Sequence, residues 1–220
     1  MNYAVSHYRL QANPCKAAGS MDRSKAGEMN IWTQAEYEKF SHAISKSSMK
    51  LAFDILFYTG MRFGELLALT PTDILPNKRI DINKNYAKIK GEELFLEPKT
   101  PKAKRCISIP DFLYDDIQEY ISKLYGIGNN DRIFYFQKTA LEKEMKRVSE
   151  RAGLKPIRVH DLRHSHASML IDLGFSPLEI AERLGHESVK TTLDTYSHLY
   201  PDKDQQLADR LNQFRSSQGK

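Results

Sequence analysis

Apolar positions recur at helical spacing through most of the chain, and the period changes once. Thr33-Gln-Ala-Glu36 has the form of a capping box and opens an amphipathic helix. Ser48 to Thr59 predicts a second, mostly apolar helix, stopped by Gly60 where a C-terminal glycine belongs, and Glu65 to Leu69 continues helically as far as Thr70-Pro71. The runs 79–83, 92–97 and 105–109 are instead short, alternating or β-branched, with turn residues between them, which predicts a small three-stranded antiparallel sheet. Helical spacing returns at 111–125 after Pro110, at 139–152 before Gly153, and at 160–173 before Gly174. A shorter helix opens at Ser176-Pro177 and closes at Gly185, and 188–196 forms the next. Beyond Pro201, Leu207, Ala208, Leu211 and Phe214 make the apolar stripe of a last helix. Residues 1–30 read as loop or linker with little to bury. The expected fold is mainly α with one small three-stranded antiparallel β-sheet, without internal repeats.

Composition adds little to that outline. A chain of 220 residues, 40% hydrophobic and 28% charged, is long enough for a real core and reads as an ordinary globular protein. The apolar run near Leu51 to Tyr58 contains Asp54 and is far too short to span a bilayer, and the first ten residues lack a signal-peptide core. Two cysteines, Cys15 and Cys106, make neither a metal site nor a disulfide framework, so a reducing cytoplasm is expected. The net charge is +5, unevenly spread: Lys99, Lys102, Lys104 and Arg105 crowd one segment, and Lys143, Lys146, Arg147, Arg151, Lys155 and Arg158 another. Such clusters suit a polyanion, with Lys102, Lys104, Arg105 and Arg158 as candidate phosphate contacts. On charge alone a solvated helix face is the better explanation of them.

Candidate chemistry changes the picture. Arg62 stands in Thr-Gly-Met-Arg-Phe-Gly-Glu-Leu, His160 and Arg163 in His-Asp-Leu-Arg-His, His186 in Leu-Gly-His-Glu-Ser, and Tyr196 in Asp-Thr-Tyr-Ser-His-Leu. A free tyrosine hydroxyl has a pKa near 10, so its phenolate lies roughly 4 kcal/mol uphill at neutral pH. Fixed cations favour that ionised form and neutralise charge that builds on phosphate oxygens. Arginine suits the second task because its planar fork donates two hydrogen bonds and stays charged. His160 and Arg163, at i and i+3 near a helix start, share one face beside exposed backbone N–H groups.

The order, spacing and local wording of these motifs, from about Thr33 to Tyr196, resemble the tyrosine recombinases, the integrases of phages and conjugative elements. That resemblance implies the tyrosine-recombinase catalytic-domain fold and a metal-free, ATP-free exchange of DNA phosphodiesters through a 3′-phosphotyrosyl intermediate. Tyr196 would be the nucleophile, Arg62 and Arg163 the phosphate clamp, His160 the group sharing the tyrosine proton, and His186 a donor to the phosphate. A hairpin lysine would protonate the leaving 5′ oxygen; Lys99 matches best, with Lys102 and Lys104 as rivals. Implied partners are double-stranded recombination sites, a homotetramer on DNA that is monomeric in isolation, and accessory DNA-bending proteins. No cofactor and no membrane are implied. Residues 1–30 would be the tail of a core-binding domain and its linker, and 31–220 the catalytic domain, with a C-terminal helix passed between protomers or folded back on its own core.

Three other readings fit part of the pattern. His160-Asp-Leu-Arg-His164 has the spacing of a zinc-protease helix, but with aspartate for glutamate and no third-ligand motif. The helix pair 160–173 and 176–184, joined at Gly174, has the outline of a DNA-binding helix-turn-helix without catalysis, which leaves Tyr196 and Lys99 without a task. A type IB topoisomerase shares the same active set.

Overall fold

The computed structural model describes residues 29–89, 91–98 and 100–200, together with Ala208, Leu211, Phe214 and Arg215. The helices are α1 (Gln34–His42), α2 (Ser47–Thr59), α3 (Phe63–Ala68), α4 (Asp111–Ser122), α5 (Lys138–Arg151), α6 (Asp161–Asp172), α7 (Pro177–Leu184) and α8 (Val189–Tyr196). The strands are β1 (Ile74–Leu75), β2 (Arg79–Ile82), β3 (Asn85–Ile89), β4 (Glu92–Leu96) and β5 (Arg105–Ser108). Thr33 and Glu36 form the expected capping box at α1.

α2 runs through the centre of the core, burying nine of its residues, Asp54 among them. That carboxylate accepts hydrogen bonds from Tyr37 Oη (2.5 Å), Ser41 Oγ (3.0 Å) and Lys50 Nζ (2.6 Å), so its burial leaves no unpaired charge. The Tyr37 and Phe57 rings stack with centroids 3.7 Å apart, and Trp32 ties the chain entering α1 to α6 by donating its backbone N–H to Ser165 Oγ (2.9 Å). A smaller apolar cluster joins α6, α7 and α8 through Ala167, Leu170, Ile171, Ile180, Leu184 and the ring of Tyr196.

The three-stranded antiparallel sheet exists, with different membership from that expected. Its order is β1-β2-β5, with Ile80 opposite Ile74 and Ile107, and Ile82 opposite Arg105. The run 92–97 belongs elsewhere: β4 pairs with β3 in a separate hairpin, Asn85 opposite Leu96 and Ile89 opposite Glu92. β2 already has a neighbour on each side, and β3 and β4 have no fully buried position to dock against it. Among the described residues no helix is long and apolar enough to cross a membrane. The last helix expected after Pro201 lies largely outside the described residues; Leu211 and Phe214, which are described, are exposed.

Candidate active site

Four junctions build the site. Gly60 ends α2 in the left-handed conformation (φ 65°), which turns the chain so that Arg62 arrives as the residue preceding α3. Glu65, one turn on, accepts from the Arg62 backbone N–H (2.8 Å) and from its Nη1 (2.9 Å). The guanidinium is thereby fixed while its side chain keeps 42% exposure. It borders a cavity of about 520 Å³ also lined by Pro98, Thr100, Gly185 and His186. Lys99 lies outside the described residues; its chain neighbours Pro98 and Thr100 are on this wall.

Arg163, on the first turn of α6, is buried and spans two junctions. Its Nη1 donates to the carbonyl of Gly60 (2.7 Å) and its Nη2 to that of Leu184 (2.6 Å). Burial and the nearby charges of Arg62 and Arg105 lower its pKa to about 9, so it remains a cation at neutral pH. Arg62 and Arg105 share the carboxylate of Glu65 while Arg163 bonds to the two carbonyls, so an arriving anion adds a charged partner for these guanidiniums.

His186 follows Gly185, which closes α7 in the left-handed conformation (φ 69°). Its Nδ1 pairs with Thr192 Oγ1 at 2.8 Å, linking this turn to α8. Burial, then Arg163, Arg62 and Arg105, push its pKa down to about 4, leaving a neutral imidazole at neutral pH. In the tautomer in which the Thr192 hydroxyl donates to Nδ1, Nε2 carries the proton and becomes a donor.

Tyr196 closes α8, 1% exposed. Its hydroxyl is 2.8 Å from His164 Nδ1, one residue past Arg163. Burial raises its pKa to about 12, against the favourable charge of Arg163. His160 stands at the surface where α6 begins, its ring centroid 5.2 Å from that of His164. The packing around it and the charge of Arg163 lower its pKa. Arg62, Arg163, His186 and Tyr196 therefore occupy one neighbourhood, with His160 at its edge.

Two expectations need revision. Arg105 is no surface contact: its side chain is 6% exposed and it holds Glu65 through Nη1 (3.2 Å) and Nη2 (2.9 Å) while Nε donates to the carbonyl of Arg183 (2.8 Å). It occupies β5 opposite Ile82, where its side chain passes inward beneath α3 and the α7–α8 turn. His164, weighed as one end of the zinc-protease spacing, touches the Tyr196 hydroxyl; its position one turn after His160 is the only trace of this in the sequence. Of the other candidates, Lys102 and Lys104 are exposed, Lys104 near Glu97, and Arg158 is exposed but bidentate to Asp161.

The alternatives also meet this geometry. The zinc-protease spacing brings no third ligand with it: no group of three potential metal ligands gathers among the described residues, and Asp161 is paired with Arg158. α6 buries eight of its residues, and α7 exposes Glu179 and Glu182, the wrong sign for a helix entering a DNA groove.

Residues 30–203 match the model of the phage integrase family. The chain belongs to that family. It is 34% identical to the ICEBs1 integrase of Bacillus subtilis (strain 168) over 95% of its own length and 61% of that protein's. It is 31% identical to the integrase of Staphylococcus phage L54a over 74% of this chain and 51% of that one. The chain thus spans about half to three-fifths of these integrases. Among solved structures, the fold resembles the Tn1549 transposon integrase in complex with circular intermediate DNA (TM-score 0.71, 23% identity, 85% of this chain and 68% of that one). It also resembles the catalytic domain of bacteriophage HP1 integrase (TM-score 0.59, 22% identity), covering 84% of this chain and 96% of that one.

Proposed function

We propose that this integrase-family chain is the catalytic portion, residues 31–220, of a site-specific DNA recombinase, preceded in 1–30 by the tail of a core-binding domain and a linker. The observation that carries the reading is the meeting of Arg62, Arg163 and His186 with the Tyr196 helix: Arg62 and His186 line one cavity, the charge of Arg163 bears on His186, and His186 pairs with Thr192 of α8. Arg62 and Arg163 hold the non-bridging oxygens of a DNA phosphodiester, and His186 donates to one of them. Tyr196 passes its proton to His160 as Oη bonds to phosphorus, the bond to O5′ breaks, and Lys99, which lies in sequence between β4 and β5 rather than in the hairpin expected for it, protonates the leaving oxygen. The product is a 3′-phosphotyrosyl link and a free 5′ hydroxyl, and a partner strand's 5′ hydroxyl reverses the step. One phosphodiester is exchanged for another, so no ATP is consumed. Lys102 and Lys104, both exposed, contact the DNA backbone.

The site demands that Tyr196 leave its buried position and that two duplexes be held together. A tetramer assembled on DNA, monomeric before it, meets the second requirement, and the exposed Leu211 and Phe214 are suited to a C-terminal helix exchanged between protomers. Accessory DNA-bending proteins and a cytoplasmic setting follow from the same reading. The test is incubation with a nicked duplex that traps the intermediate. A protein–DNA band that survives denaturation and is lost in Tyr196→Phe supports it; an adduct that persists in that variant, or none with the unaltered chain, refutes it.

A further inference from the structure

We propose that Arg105 is a positioning residue for the phosphate site: it holds Glu65 so that this carboxylate orients Arg62 without cancelling its charge. The inference rests on the recombinase reading and gives an arginine expected at the DNA surface a task inside the site. Arg105 begins β5 and grips Glu65 as a fork, Nη1 to Oε1 (3.2 Å) and Nη2 to Oε2 (2.9 Å). Backbone fixes Arg105 in turn: Nε donates to the Arg183 carbonyl (2.8 Å), and Nη1 also to that of Ala103 (3.1 Å). Gly185 leaves the room for it, since a Cβ there would lie 3.0 Å from Arg105 Nη1 and 3.1 Å from its Cδ. The same two carboxylate oxygens accept from Arg62, Oε1 from its Nη1 (2.9 Å) and Oε2 from its backbone N–H (2.8 Å). None of these groups lies on α8, so the arrangement does not depend on where Tyr196 sits.

Charge explains why two arginines are needed. A buried Glu65 paired with Arg62 alone would make a neutral couple, and Arg62 could meet a phosphate only by leaving that carboxylate uncompensated. With Arg105 present, two guanidiniums and one carboxylate leave one positive charge over, and Glu65 stays satisfied when Arg62 turns toward a ligand. Exposure divides the two roles. The Arg62 side chain is 42% exposed and borders the cavity, whereas that of Arg105 is 6% exposed and reaches the cavity only through Glu65. The exposed arginine meets the phosphate and the buried one meets the carboxylate. A bidentate fork suits the second task, because it fixes the plane of the Glu65 carboxylate and with it the direction of the bond to Arg62.

The test is single-turnover cleavage of the nicked duplex by the 220-residue chain, at saturating DNA and at a temperature where circular dichroism shows each variant folded. Arg105→Met is expected to slow adduct formation by about 100-fold, the scale on which displacing a site group by about 1 Å acts. Its dissociation constant for the duplex should stay within about threefold of wild type, a split between rate and binding that neither a surface phosphate contact nor a purely structural brace would produce. In an Arg62→Lys background the same substitution should add less than about threefold, because its effect runs through Arg62. An R105M rate within about threefold of wild type overturns the proposal, and so does a full loss repeated in the R62K background. If R105M does not fold, Arg105→Lys decides: it keeps the charge without the fork and should slow cleavage by about tenfold, whereas a wild-type rate overturns the proposal. A wild-type chain that forms no Tyr196-dependent adduct would remove the recombinase reading itself, and this proposal with it.

Discussion

Replacing Arg105 by methionine separates a surface phosphate contact from an internal brace. Arg105 and Glu65 are 6% and 5% exposed at their side chains and share two hydrogen bonds, and Arg105 also donates to the Arg183 carbonyl. Removing one partner of a buried pair costs about 3–5 kcal/mol, because the other charge stays behind uncompensated. Glu65 would keep the two donors of Arg62, which places Arg105→Met near the lower end, about 3 kcal/mol. For a domain of this size that is a fall of roughly 6–12 °C in melting temperature. Urea denaturation followed by circular dichroism measures it directly, and the denaturant slope should not change. The loss should also depend on pH. Burial pushes the Glu65 carboxyl up, but the hydrogen bonds and charge of Arg105, with the Arg62 contacts, outweigh it and leave its pKa below the ordinary glutamate value. Stability from a depressed carboxylate is present above the unfolded pKa, about 4.3, and is lost as pH falls through the folded one, so wild type and variant should converge in acid. A variant within about 0.5 kcal/mol of wild type, with a DNA salt slope reduced by about one contact, would refute the brace and restore the surface role.

Three further outcomes are expected. In Gly60→Ala the new Cβ would lie 2.6 Å from His166 and 2.7 Å from Leu184 at a left-handed φ of 65°, so thermal melting should show a loss of about 2–4 kcal/mol. His166 accepts from Arg183 Nε, and burial followed by the charge of Arg183 lowers its pKa to about 3. The unfolded chain therefore binds a proton between about pH 6.5 and pH 3 that the folded one refuses, and stability should fall as pH drops through that window. Chemical denaturation of His166→Gln across it should show a slope shallower by up to about 1.4 kcal/mol per pH unit. Lys102→Ala and Lys104→Ala should each reduce the slope of log affinity against log salt by about 0.9 in gel-shift titrations, whereas an unchanged slope would place that lysine off the DNA.

Local chemistry written into the sequence was legible to within a residue or two. Thr33 with Glu36, Gly60, Ser176 with Pro177, and Gly185 each act on their own backbone neighbours, and each marks a helix end. Strand partnership was not legible. The alternation in 92–97 says that a strand forms but not that its partner is 85–89, a run without a buried face to betray it. The same limit governed the site. The motifs named Arg62, Arg163, His186 and Tyr196, but a basic residue among lysines looks the same whether it faces water or a buried glutamate. Only the inward course of β5 beneath α3 sets Arg105 apart from Lys102 and Lys104. His164 was obscured by proximity to better-marked neighbours, since a histidine on a helix has two faces and spacing does not choose between them.

Arg163's grip on the carbonyls of Gly60 and Leu184 bears on how a recombinase of the kind proposed would meet DNA. The guanidinium is positioned by the backbone of α2 and α7 before any nucleic acid arrives, so its ordering is completed during folding and need not be drawn from the energy of complex formation. Under the proposed function, selectivity for one DNA sequence would then come from parts of the protein that are free to adjust, while the chemical centre would be indifferent to which bases flank the scissile bond.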